Sequence, residues 1–128
     1  MSRGLALLLG VLLLTACGSI DITVKVEDSA GNVLNGVEVI VFDNSEDAKN
    51  FEKKSQYNIL QSRYTDKNGT VDFDLKKENT YYFFAYKEDY HLSRAVNDEP
   101  LSVSGDNIIN MTLYSYDEEI PAIVYRNY

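Results

Sequence analysis

Ile20, Ile22, Val24 and Val26 alternate with Asp21, Thr23, Lys25 and Glu27. This spacing of two puts an apolar set on one face of an extended strand and a polar set on the other. Val71, Phe73 and Leu75 repeat it against Thr70, Asp72 and Asp74. Each such strand has one face to bury. Two further segments are apolar on both faces. In one, Val37, Val39 and Val41 are joined by Ile40 and Phe42. The other, "TYYFFAYKE", is β-rich and aromatic throughout, as a central strand would be. A third strand is predicted near Ile59 to Thr65, and "NIINMTLY" supplies a last one. Six or seven short strands separated by turn residues predict an all-β protein, a single immunoglobulin-like or prealbumin-like β-sandwich of about seven strands over residues 20–115.

The connections support this reading. "DSAGN" carries Gly31-Asn32 for a turn. "TDKNGTVDFDL" places Asn68-Gly69 where a type I′ hairpin would need two residues at positive φ. The 44–56 connection admits a short helix. Asn44 or Ser45 would cap it, Glu46 and Asp47 suit its positive end, Lys53 and Lys54 its negative end, and Ala48 and Phe51 share a side. That helix would cover the outer face of the doubly apolar second strand. Pro121 keeps the segment after it from a central place in a sheet.

The chain contains one cysteine, Cys17, at the end of an apolar leader. Arg3 precedes the run LALLLGVLLLTA, the charge and hydropathy order of a secretory signal peptide over residues 1–16. The run is shorter than the roughly 20 residues of a membrane-spanning helix. Leu14-Thr15-Ala16-Cys17-Gly18-Ser19 resembles the lipobox of bacterial lipoproteins. That resemblance implies cleavage before Cys17, a lipidated thiol and an acylated amino terminus. Gly18, rather than Asp, implies the outer membrane in a bacterium with two membranes. Residues 17–19 would form a very short tether. The 112 residues from Cys17 onward carry 11 Lys and Arg against 20 Asp and Glu, a net charge of about −9. This acidity argues against nucleic acid and against lying flat on an anionic surface.

The order Val24-Lys25-Val26-Glu27-Asp28, Gly31, Asn35-Gly36-Val37, Val39 and Val41, followed by Thr65-Asp66-Lys67-Asn68-Gly69, Val71, Phe73, Leu75, Tyr82, Phe84 and Asp89-Tyr90, resembles the carboxypeptidase-regulatory-like, Cna-B-like and transthyretin-like sandwiches. Modules of that group serve as stalks, enzyme appendages and parts of envelope machines. Cna-B domains often weld two strands by a Lys–Asn isopeptide bond. Here the Lys position falls on Val26, with Lys25 one residue off, and the assisting acid's place lies near the apolar Ala85. No such bond is expected.

The residues offer little for catalysis. His91 is the sole histidine, and no nucleophile motif of the Gly-x-Ser-x-Gly kind is present. No zinc set can be assembled. Placing Gly69 at the sixth position of a calcium loop puts Leu75 where a Glu is required. Asp72 and Asp74 stand about 7 Å apart on one strand face, the ordinary wet face of a sandwich. The tyrosines remain, ten of them with no tryptophan. Tyr81, Tyr82 and Tyr86 are expected in or beside the sheet with their hydroxyls at a wet rim. Tyr114, Tyr116, Tyr125 and Tyr128, the last three in an acidic tail over residues 116–128, are candidate binding residues for a protein or sugar. Together these features predict an envelope lipoprotein held to the membrane through lipid on Cys17. It would be a non-catalytic structural or protein-interaction module with no cofactor, metal or nucleic acid, working with an envelope protein partner. The alternative is a surface lipoprotein that binds a ligand or carbohydrate.

Overall fold

The computed structural model describes residues 19–76, 80–96 and 107–119. Cys17, Tyr125, Tyr128 and both prolines lie outside them. In chain order the elements are β1 (Ser19–Asp28), β2 (Glu38–Phe42), α1 (Ser45–Glu52), β3 (Gln61–Tyr64), β4 (Thr70–Lys76), β5 (Tyr82–Tyr86), β6 (Ser93–Val96) and β7 (Asn107–Leu113). The alternation in β1 is satisfied in full: Ile20, Ile22, Val24 and Val26 are buried. β4 runs antiparallel along one side of β1, with Ile22 opposite Phe73 and Val24 opposite Val71. β7 runs parallel along the other side, with Val26 beside Met111. These three strands form one sheet, ordered β4-β1-β7; the other four form the second, ordered β3-β2-β5-β6.

The β-sandwich is therefore present, with seven strands among the described residues. Between its sheets lies a cluster that buries 15 of the described residues, among them Val24, Val26, Val39, Val41, Phe73, Tyr81, Phe83 and Leu113. Phe73 and Phe83 meet across the layers with ring centroids 6.4 Å apart. Each fully buried Val, Leu or Phe contributes roughly 1.5–3 kcal/mol relative to exposure, so the core holds a chain that has no disulfide to lean on. Val26, at the resemblance's lysine position, and Ala85, near the place of its assisting acid, are both fully buried here. Lys25 points the other way and pairs with Glu27 at 3.2 Å.

The doubly apolar β2 has its cover. Ile40 and Phe42 face away from the main core and are buried under α1 with Ala48 and Phe84. The Phe51 ring lies 5.4 Å from Phe42 and 4.9 Å from Phe84. Asn44 caps the helix, its side-chain oxygen accepting the Asp47 N–H at 2.8 Å. Eight residues are too few for a helix to persist in water alone, so tertiary packing holds this one.

Asn68-Gly69 does not close a hairpin. β3 belongs to the four-stranded sheet and β4 to the three-stranded one, so this turn carries the chain from one layer to the other. Gly69 has φ +75°, but Asn68 is not at positive φ, so the turn is not type I′. Asp66 organises it instead. One carboxylate oxygen accepts the N–H groups of Asn68 at 2.9 Å and Thr70 at 3.2 Å, and the Asp66 carbonyl accepts the Gly69 N–H at 2.9 Å. A type I turn followed by a left-handed glycine has this pattern. Two smaller differences stand beside it. β6 is a strand that the polar Ser-Arg-Ala-Val did not announce. The Tyr81 hydroxyl is not at a wet rim: it accepts from the Lys76 N–H at 2.8 Å and donates to the Lys76 carbonyl at 3.0 Å, joining the start of β5 to the end of β4.

A Cβ on Gly69 would stand 2.8 Å from both the Val26 carbonyl oxygen and the Val33 Cβ. Gly69→Val should therefore cost at least about 1–3 kcal/mol from backbone conformation, with the clash in addition. A thermal melt unchanged from the native protein would contradict this packing. The second expectation concerns acid. The Asn32 N–H holds the Asp28 carboxyl below its usual 3.8, and the Thr70 N–H does the same for Asp66. A carboxyl depressed by folding stabilises the fold above its unfolded pKa, and that stabilisation is lost as pH falls through the folded value. Stability should thus hold from neutrality down to about pH 5 and decline below about pH 4. The Asp28→Asn, Asp66→Asn double variant should show a shallower decline in urea titrations across that window; an equal slope would show that these turns do not contribute.

Candidate interaction face

Helix α1 covers the outer face of the four-stranded sheet only in part. Cross-strand pairing defines the rows of that face. Ser62, Ile40, Phe84 and Arg94 form one row, and helix residues bury its centre. The Arg94 guanidinium pairs with Glu52 at the end of the helix. The next row is Tyr64, Glu38 and Tyr86, on β3, β2 and β5, because Glu38 stands opposite Tyr64 on one side and Tyr86 on the other. Here the cover stops. Tyr64 is 65% exposed and Tyr86 47%, and Leu92 beyond β5 is also exposed.

The strand pairing that builds this row fixes its dimensions. Two inter-strand spacings separate the tyrosines, about 10 Å, with the carboxylate midway. The Ser62 hydroxyl donates to Glu38 Oε2 at 3.0 Å and steadies it. Among the described residues no cation pairs with Glu38. Arg63, one residue before Tyr64, points to the opposite face and donates to the Asp72 carbonyl. Lys87, one residue after Tyr86, donates to the Asn35 carbonyl at 2.9 Å. The row lies at the end of the sandwich reached by the C-terminus of β1, beside the 65–69 corner. Ser19 lies at the other end, since Ser19 pairs with Lys76 and Lys25 with Thr70.

The residues singled out in the sequence fall elsewhere. Tyr114 is half-buried, and its carbonyl accepts the His91 N–H at 2.8 Å. Tyr116 is exposed, its ring edge-on to His91 with centroids 5.1 Å apart. Cys17, Tyr125 and Tyr128 lie outside the described residues. Tyr64 was not singled out, although the alternation of Leu60, Ser62 and Tyr64 against Gln61, Arg63 and Thr65 places it on one face. Asp72 accepts from the Thr23 hydroxyl at 2.7 Å on the outer face of the other sheet, which also sets Asp21 opposite Asp74. Among the described residues no group of three or more His, Cys, Asp or Glu could hold a metal. A shallow polar recess beside α1 is lined by Asn44, Asn50, Gln56 and Asn58, with Asp47 and Tyr57.

Solved proteins share this architecture. Catechol 1,2-dioxygenase from Acinetobacter radioresistens superposes with a TM-score of 0.54 at 13% identity, over 77% of this chain and 52% of that one. The shaft pilin SpaA from Lactobacillus rhamnosus GG, as its D295N mutant, gives 0.52 at 10% identity over 76% and 48%. The group B streptococcus pilus 2b backbone protein gives 0.51 at 16% over 74% and 40%. The chain thus spans about half the length of the dioxygenase and the shaft pilin. At these identities the likeness is one of fold: a β-sandwich shared by pilus subunits and dioxygenases. No family model matches the chain, and no curated protein matches it.

If Tyr64 and Tyr86 serve an external contact rather than the fold, their replacement should barely touch stability. Tyr64→Thr and Tyr86→Thr keep a strand-favouring residue. Each should shift the unfolding free energy by no more than about 0.5 kcal/mol, as surface substitutions do. Urea denaturation measures this, and a loss near 2 kcal/mol would assign the rings to packing.

Proposed function

We propose that this protein is a lipid-anchored, non-catalytic protein-interaction module of a bacterial cell envelope. The observation that carries the reading is the uncovered Tyr64–Glu38–Tyr86 row on a sheet whose outer face α1 covers at the centre. Tyrosine exposes a large rigid surface at low entropic cost and is enriched where proteins meet. The lipobox resemblance at Leu14–Cys17 supplies the anchor, and the Cna-B-like pattern agrees with a sandwich whose solved neighbours include two pilus subunits. In a bacterium with two membranes the protein would sit in the outer one; with one membrane, on its outer face. The only histidine is engaged with Tyr116, and Asp28 and Asp66 are committed to turn amides, so none of these three groups is placed as an acid or base at the row.

The tether is short, with Gly18 alone between Cys17 and β1. At about 3.3–3.6 Å per extended residue the domain is held within roughly 10 Å of the lipid headgroups. It therefore works at a fixed place for a partner in or near the same membrane. Cys17→Ser should leave the precursor uncleaved by the lipoprotein peptidase and absent from the membrane as a mature form; a mature, membrane-bound mutant would reject the anchor. Insertion of about 20 Gly/Ser residues, the first of them Ser, between Gly18 and Ser19 should fail to rescue a deletion strain although the domain folds and is lipidated. Full rescue would reject the fixed-position reading.

A second reading, a carbohydrate-binding lipoprotein, is favoured by the amide-lined recess beside α1. It predicts that soluble glycans perturb Asn50, Gln56 and Asn58 in NMR titrations and leave Tyr64 and Tyr86 unmoved.

A further inference from the structure

We infer that the Tyr64–Glu38–Tyr86 row is a receptor for a cationic side chain, arginine or lysine, on a basic segment of the partner protein. The inference rests on the interaction reading above and specifies the chemistry of its partner. The geometry has three parts. Two exposed aromatic rings stand on either side of a carboxylate, each one strand away from it. A cation seated over Glu38 lies about 5 Å to the side of each tyrosine-bearing strand, which brings both rings into play. A ring attracts a cation within about 6 Å of its centroid. The carboxylate supplies the countercharge. Ser62 donates to one of its oxygens, Oε2, and among the described residues none donates to Oε1.

Charge complementarity selects this occupant. Among the described residues no Lys or Arg neutralises Glu38, and the cations that adjoin the two tyrosines in sequence, Arg63 and Lys87, are bonded to the backbone carbonyls of Asp72 and Asn35. The turn after Tyr86 adds exposed Glu88 and Asp89 to the same end of the sandwich, and the chain from Cys17 onward carries a net charge of about −9. A basic partner is therefore drawn in at long range and then held by the row at short range. Arginine suits it best: its flat guanidinium can lie along a tyrosine ring while its edge donates to Glu38. A neutral glycan would use the rings and hydroxyl contacts but would gain nothing from the uncompensated charge. Leu92 borders the row and offers an apolar rim for the stem of a long side chain.

The test uses the full-length lipidated chain in a neutral detergent. The probes are a short peptide with two arginines spaced by glycine, its citrulline analogue, and cellohexaose. Isothermal titration and 15N shift mapping provide the readouts. The arginine peptide should bind and shift the Tyr64, Glu38 and Tyr86 amides, whereas the citrulline peptide should not bind. Glu38→Gln keeps the shape and the Ser62 partner, and it should weaken binding by about threefold to tenfold, with either Tyr→Thr variant doing likewise. Raising the salt to about 0.5 M should weaken it further. Absence of binding, binding indifferent to Glu38→Gln, or binding of cellohexaose in place of the peptide would overturn the proposal. A photo-crosslinking residue placed at position 92 in living cells separates the two levels. A specific protein adduct that persists in the Glu38→Gln background overturns the cationic receptor and leaves the interaction module standing.

Discussion

Three stretches of backbone converge at Gly69, and the rest of the sandwich depends on how closely they approach. The Gly69 carbonyl accepts the Val26 N–H at 2.8 Å, and the Val26 carbonyl accepts the Leu34 N–H at 3.0 Å. One residue type fits at that crossing, because any Cβ would meet the Val26 oxygen and Val33. Thr65, just before it, is buried. Its hydroxyl accepts from the Val37 N–H at 3.0 Å and donates to the Leu34 carbonyl at 2.7 Å. The chain entering β2 and the chain leaving β3 are thereby joined where one sheet gives way to the other. Buried polar backbone must find partners or cost the fold dearly, and this corner supplies them from neighbouring segments.

From that corner the remaining geometry follows. Fixing the exit of β3 sets its register on β2, and the register brings Tyr64 level with Glu38. β5 pairs on the other side with Tyr86 at the same level. The candidate face is thus a product of two ladders sharing a middle strand. A slip of one residue in either would turn its tyrosine toward the core. The helix has the complementary part. By covering the rows of Ile40 and Phe42 and ending there, α1 defines where the exposed row begins.

How much of this the sequence disclosed depended on the range of the interaction. β1 and β4 were legible because each carries its own alternation. β2 and β5 were legible as doubly covered because both faces are apolar. The helix showed through Asn44, Glu46 and Asp47, a cap and a charge pattern contained in four residues. β6 was not legible, since four residues with one charge and one hydroxyl show no strand signature and are recruited by pairing with β5. The Asn68-Gly69 turn was visible as a turn, but the identity of the strands it joins is a property of the two sheets, not of the turn. The Tyr64–Glu38–Tyr86 row was invisible for the same reason: its members lie 22 to 48 residues apart in sequence and become neighbours only through strand order.

The place of β1 has a mechanical consequence. It is the middle strand of its sheet, joined by seven register pairs to β4 on one side and by seven to β7 on the other. A pull applied at Ser19 along the strand axis would load both ladders in shear, so that many hydrogen bonds must fail together. Traction on an edge strand across its ladder would peel bonds off one at a time. A domain connected to its surroundings through such a strand transmits tension to its far end, where the tyrosines sit, before it gives way.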